Sequence, residues 1–126
     1  MAELVLIVDD NERNAKLARD VLELAGMRTL SAATASEGLE LARAHRPNLV
    51  LMDLRLPDLD GGEAARQLAA DERTAEIPVI ALSALPIEEA ADWFRDAGFV
   101  AYIEKPIDVQ EFPEQVRRHC VPRRPS

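Results

Sequence analysis

The 126 residues contain one cysteine, Cys120, which excludes an internal disulfide and suggests a reducing compartment. It also lacks the spaced Cys/His partners of a zinc site. Long apolar runs are missing: none approaches the roughly 20 residues that a membrane helix needs. Met1-Ala2-Glu3 carries neither the positive start nor the apolar stretch of a secretion signal, so a soluble cytoplasmic chain is expected. Positive charge is scarce, with 15 Lys and Arg against 23 Asp and Glu and a net charge of −8, which argues against a direct nucleic-acid binder. Arg117, Arg118, Arg123 and Arg124 read as a helix C-terminus complementing its dipole, followed by a tail. A glycine-rich turn is also absent after the first apolar run. Asp9-Asp10-Asn11 stands in its place and disfavours a dinucleotide-binding fold.

What is present is a regular alternation. Apolar, strand-sized runs occur at Leu4–Val8, Leu49–Met52, Ile77–Leu82 and Phe99–Ile103, and Met27–Ala33 reads as a weaker strand. Helical patterns lie between them. The first has Leu17, Val21, Leu24 and Ala25 as its predicted inward stripe and Gly26 just past its end. The second starts at Thr34 with capping-box spacing to Glu37 and runs to about Ala44. The third follows Gly61-Gly62 with Ala65, Leu68 and Ala69 inward. The fourth spans Pro86–Ala97, with Ile87, Ala90, Ala91, Phe94 and Ala97 buried and Gly98 as its cap; Trp93 lies off that stripe and is a candidate for a partner surface. The last is expected from Asp108, with Val109, Phe112 and Val116 on one side. Pro113 would break its interior at a cost of roughly 3 kcal/mol, so a late start or a kink is predicted there. Five strand–helix repeats without an internal linker predict a single α/β domain, residues 1–120, with a parallel sheet covered on both faces and a tail at 121–126.

In a parallel sheet the residues just past each strand share one edge, where ligands bind in open α/β folds. Here they are Asp9, Asp10, Asp53, Ser83 and Lys105. Two like charges 4 Å apart repel by about 4 kcal/mol at an effective dielectric of 20, so three carboxylates call for raised pKa values or a cation. Oxygen-only donors suit Mg²⁺. Beside such an ion Asp53 has the makings of a nucleophile in phosphoryl transfer, with Lys105 and Ser83 serving phosphoryl oxygens. Each residue alone has an ordinary alternative: Asp10 or Asn11 as a helix cap, Lys105 as a surface lysine.

The motifs Val8-Asp9-Asp10-Asn11, Met52-Asp53-Leu54-Arg55-Leu56-Pro57 through Asp60-Gly61, Leu82-Ser83-Ala84, Ala97-Gly98 and Tyr102-Ile103-Glu104-Lys105-Pro106 resemble the receiver domain of two-component response regulators. The likeness covers nearly the whole chain and is greatest to stand-alone receivers of the cell-division or chemotaxis type. It implies a flavodoxin-like (βα)5 fold with strand order 2-1-3-4-5 and a cis Lys105-Pro106 bond. It also implies that Asp53 accepts a phosphoryl group from a phosphohistidine on a sensor histidine kinase or histidine phosphotransfer protein. Asp10, Asp53 and the backbone carbonyl of Arg55 would hold Mg²⁺, with Asp9 assisting. Lys105 would pair with the phosphoryl group, Ser83 would swing toward it, and Tyr102 would follow inward. The face of the fourth helix, fifth strand and fifth helix would then change for a downstream protein partner. A monomer or weak dimer is expected, with no turnover of an external substrate.

Two rival readings concern the same residues. A phosphohydrolase of the haloacid dehalogenase type also uses a strand-end Asp and Mg²⁺, but it needs a second Asp two positions on, where this chain has Arg55. An interaction module that is never phosphorylated would have no use for the full set of acidic, hydroxyl and lysine residues.

Overall fold

The computed structural model describes residues 2–86, 88 and 97–121. Five parallel strands, β1 (Leu4–Val8), β2 (Arg28–Ala32), β3 (Leu49–Asp53), β4 (Val79–Ser83) and β5 (Ala101–Glu104), form one sheet in the predicted order β2-β1-β3-β4-β5. Helices α1 (Glu12–Leu24), α2 (Ala35–His45) and α3 (Gly61–Ala70) follow the first three strands, and a C-terminal helix, Phe112–His119, closes the chain. Most of the predicted fourth helix, residues 87 and 89–96 with Trp93 among them, lies outside the described residues.

Strand side chains alternate between two apolar clusters, one on each face of the sheet. Leu6, Val8, Val50 and Met52 pack with Leu39 and Ala42 of α2 and Ala64, Ala65 and Leu68 of α3. Val5, Ile7, Leu49, Leu51, Ile80 and Leu82 pack with Ala15, Ala18 and Leu22 of α1 and with Phe112 and Val116 of the C-terminal helix. Strands buried on both sides cannot show a polar alternation, and β1, β3 and β4 accordingly read as continuous apolar runs. Phe112 is wholly buried, a contribution of about 3 kcal/mol.

Several helix details differ from the sequence expectation. The inward face of α1 is Ala15, Ala18 and Leu22, whereas Leu24 is 91% exposed and Leu17 41%. Small side chains let α1 lie close to the sheet, and a search for large apolar residues gives them little weight. In α3 Ala64 is buried and Ala69 exposed. Asp108 does not open the last helix. Its Oδ1 accepts from the Gln110 and Glu111 N–H groups in a local turn, and the helix begins at Phe112 with Pro113 in its first turn. Val109 is consequently exposed, and the predicted late start holds. Thr34 caps α2 as expected: its hydroxyl accepts from Glu37 N–H, while Glu37 reaches back to Ala33 N–H.

Asn48 joins the ends of the chain at the opposite edge. Its Oδ1 accepts from Leu4 N–H at 2.7 Å and its Nδ2 donates to the Val121 carbonyl at 2.6 Å. The backbone of Val121 is thereby held to the sheet one residue past the predicted domain boundary at 120. Among the described residues no helix is long and apolar enough to cross a membrane.

Candidate functional site

β1, β3, β4 and β5 all deliver polar residues to the carboxyl edge, because the strands are parallel and in register. Asp9 extends the β1 ladder by one residue, its N–H donating to Ala32 O at 3.0 Å, and its Oδ1 accepts from Asn11 N–H at 2.9 Å. The cap of α1 is Asn11, whose Oδ1 accepts from the Arg13 and Asn14 N–H groups. Neither neighbouring aspartate is therefore needed for capping.

Asp53 is the last residue of β3 and is 7% exposed. One carboxylate oxygen accepts from Arg55 N–H at 3.2 Å, and the other lies 3.3 Å from Lys105 Nζ. The same ammonium reaches Asp9 Oδ2 at 2.9 Å, and the Asp9 side chain is fully buried. The lysine is held from behind: its backbone N–H donates to Ser83 O at 2.8 Å, and the Lys105-Pro106 bond is cis, as the resemblance implied. Burial pushes the Asp53 carboxyl above its ordinary range. The Arg55 N–H and the Lys105 charge pull it back, and the Asp9 charge raises it further.

Asp9, Asp10 and Asp53 each offer a carboxylate oxygen, all within 4.8 Å of one another. The Lys105 ammonium pairs with two of these three carboxylates, and together they make a set of hard oxygens that fits a small divalent cation retaining part of its water shell. Asp10 is exposed and open to such an ion from the solvent side.

Ser83, 2% exposed, does not face Asp53 through any hydrogen bond. Its Oγ accepts from Leu85 N–H at 3.1 Å, a short-range bond typical of a loop serine. The Tyr102 phenol donates to the carbonyl of the same Leu85 and packs at the margin of the α2–α3 cluster. Leu85 thus links the strand-end hydroxyl to the tyrosine through its backbone, which nothing in a leucine side chain announces. Arg55 is exposed and forms an antiparallel bridge with Asp60. Gly61 closes the loop, its N–H donating to Leu54 O at 3.0 Å, and Asp60 caps α3 through Glu63 N–H.

A family model described as the response regulator receiver domain matches residues 5–117. The chain is 42% identical over 119 residues to the polar-differentiation response regulator DivK of Brucella ovis, covering 94% of this chain and 97% of that protein. Among solved structures, a response regulator from Chloroflexus aurantiacus superposes with a TM-score of 0.89 at 28% identity, covering 94% of this chain and 98% of that one. The receiver domain of a sensor histidine kinase from Pseudomonas aeruginosa, which has a magnesium ion coordinated in its active-site cleft, gives 0.86 at 30% identity over 94% and 97%.

Proposed function

The chain belongs to the response regulator receiver family of two-component signalling, and from that premise we propose that it is a phosphoacceptor switch whose acceptor is Asp53. The observation that carries this reading is the Lys105 ammonium, set between the Asp53 and Asp9 carboxylates at the end of β3. An ammonium there supports a carboxylate that must stay anionic to attack, and it remains to meet the charge of a phosphoryl group.

In the reaction an Asp53 carboxylate oxygen attacks the phosphorus of a phosphohistidine on a histidine kinase or phosphotransfer protein. The P–N bond breaks, its electron pair stays with the imidazole, and an acyl phosphate forms on Asp53. Asp10, Asp53 and the Arg55 carbonyl would hold Mg²⁺, with Asp9 assisting. When bound, the ion supplies positive charge to the phosphoryl oxygens. Lys105 turns from Asp9 toward the new phosphoryl group. Ser83 exchanges its bond with Leu85 N–H for one in which its own hydroxyl donates to a phosphoryl oxygen. That releases one end of Leu85 while Tyr102 still holds the other, so the segment after β4 is re-seated beside β5. The surface altered is the face of the predicted fourth helix, β5 and the C-terminal helix, the docking surface for a downstream protein. No external substrate is turned over, and the phosphohydrolase alternative lacks its acid at Arg55. The likeness to a polar-differentiation response regulator favours a signalling role of this kind.

Incubation with Mg²⁺ and a small-molecule phosphodonor, followed by intact mass, tests the reading. A single phosphate adduct is expected on the wild type and none on Asp53→Asn. An unmodified wild type, or an adduct that survives Asp53→Asn, overturns it.

A further inference from the structure

Asp58 lies in the loop between β3 and α3, three residues beyond Arg55, and its carboxylate is committed elsewhere. One oxygen accepts from Ala35 N–H at 2.9 Å; the other accepts from Ser36 N–H at 3.0 Å and from the Ser36 hydroxyl at 2.8 Å. A helix leaves its first N–H groups without internal partners. In α2 the first two go to Asp58 and the third to Thr34, so a carboxylate 22 residues away in sequence completes the cap. These three donors hold the Asp58 carboxyl down at about 2, well below the ordinary range.

The tie has a mechanical consequence. The loop is pinned at its base by Gly61 N–H on Leu54 O and by the Arg55–Asp60 bridge, while Leu56 and Leu59 pack against the α2–α3 cluster. Those contacts hold the side of the loop that faces the core, and Asp58 ties it to the start of α2. A rigid helix, itself packed on β1 and β2, thus fixes the far side of the loop that carries Arg55.

We propose that Asp58 is a positioning residue for the cation site: by fastening the loop to the N-terminus of α2, it holds the Arg55 backbone carbonyl beside Asp10 and Asp53. This rests on the reading of Arg55 and the carboxylates as the Mg²⁺ ligands. The charge of Asp58 serves the α2 terminus rather than adding to the carboxylates at the site.

The test is calorimetric titration of Mg²⁺ into the intact wild type and into Asp58→Ala, Asp58→Asn and Thr34→Ala, with urea unfolding of each. Thr34→Ala removes the other cap of α2 without touching the loop, and so separates a weakened helix from a displaced ligand. Asp58→Ala is expected to weaken Mg²⁺ binding by about tenfold, the lower end for partners outside the ligand shell. Asp58→Asn, which keeps one acceptor oxygen, recovers part of the loss. Thr34→Ala leaves the Mg²⁺ Kd unchanged although its urea midpoint falls. An unchanged Kd in Asp58→Ala, or an equal shift in Thr34→Ala, overturns the proposal while leaving the cation site standing. A wild type that takes up no Mg²⁺ overturns the reading of the site and this proposal with it.

Discussion

Gly61 offers the sharpest perturbation of the loop that follows β3. A methyl group built on it would lie 2.2 Å from the Asp53 carbonyl oxygen, 2.9 Å from Leu54 Cα and 3.0 Å from the Asp53 carbonyl carbon. All three are backbone atoms of buried residues, so no side-chain tip can swing aside to make room. Overpacking of this kind costs about 1–3 kcal/mol, and contact with backbone places Gly61→Ala at the upper end, about 3 kcal/mol. Relief from the lower chain entropy of alanine returns less than about 1 kcal/mol. With a urea m-value of about 1.5 kcal/mol/M, a net loss of about 2 kcal/mol lowers the unfolding midpoint by about 1.3 M. Because the displaced atoms belong to Asp53 and its neighbour, Mg²⁺ affinity should fall in the same variant. Gly26 is the control: its φ of 95° penalises alanine, but nothing lies within 4 Å of the added methyl. Gly26→Ala should therefore lower stability by about 1 kcal/mol and leave Mg²⁺ affinity alone. A Gly61→Ala protein with a wild-type midpoint and wild-type Mg²⁺ Kd would refute the reasoning.

Three more predictions concern polar groups. Asn48→Ala leaves the buried Leu4 N–H without its acceptor and should cost about 1–3 kcal/mol, with faster hydrogen exchange at Leu4; a loss below 0.5 kcal/mol, on the order of an ordinary surface change, would contradict it. Lys105→Met strands the fully buried Asp9 carboxylate, destabilising the metal-free protein by roughly 3 kcal/mol, and added Mg²⁺ should then raise the melting temperature more than in the wild type. The Asp58 carboxyl is held at about 2 by Ala35 and Ser36, and that of Asp71 lower still by Arg73 and Arg43. Both lie below their unfolded value of 3.8, so their stabilisation is complete above that pH and is lost as pH falls through the folded values. Urea midpoints of the wild type should accordingly converge on those of Asp58→Asn between about pH 4 and pH 2, the gap to Asp71→Asn should narrow over the same range without closing, and a gap that widens there would be the wrong sign.

The sequence made some of this legible and hid the rest for physical reasons that particular residues illustrate. The capping box at Thr34 and the proline at 113 act within a few residues, so reading them needs no partner from elsewhere. The inward face of α1 was obscured because Ala15 and Ala18 carry little hydropathic signal, yet they are what lets the helix approach the sheet. Asp58 and Asn48 were harder still. Their partners lie 22 and 73 residues away, and an Asp in a Pro-Asp turn or an Asn after Pro47 looks like loop punctuation.

The cluster of Asp9, Asp53 and Lys105 also spans long separations, 96 residues from Lys105 to Asp9, and yet could be placed from sequence. The difference is topology. When every strand runs the same way, "the residue after the strand" becomes a position in space, and a local observation acquires a long-range meaning. Reversing β5 alone would carry Lys105 to the other edge of the sheet, about 13 Å away for a four-residue strand, beyond reach of either carboxylate. The site and the parallel order of β1, β3, β4 and β5 are therefore one inference. The loop and tail contacts obey no such rule, and only the folded chain discloses them.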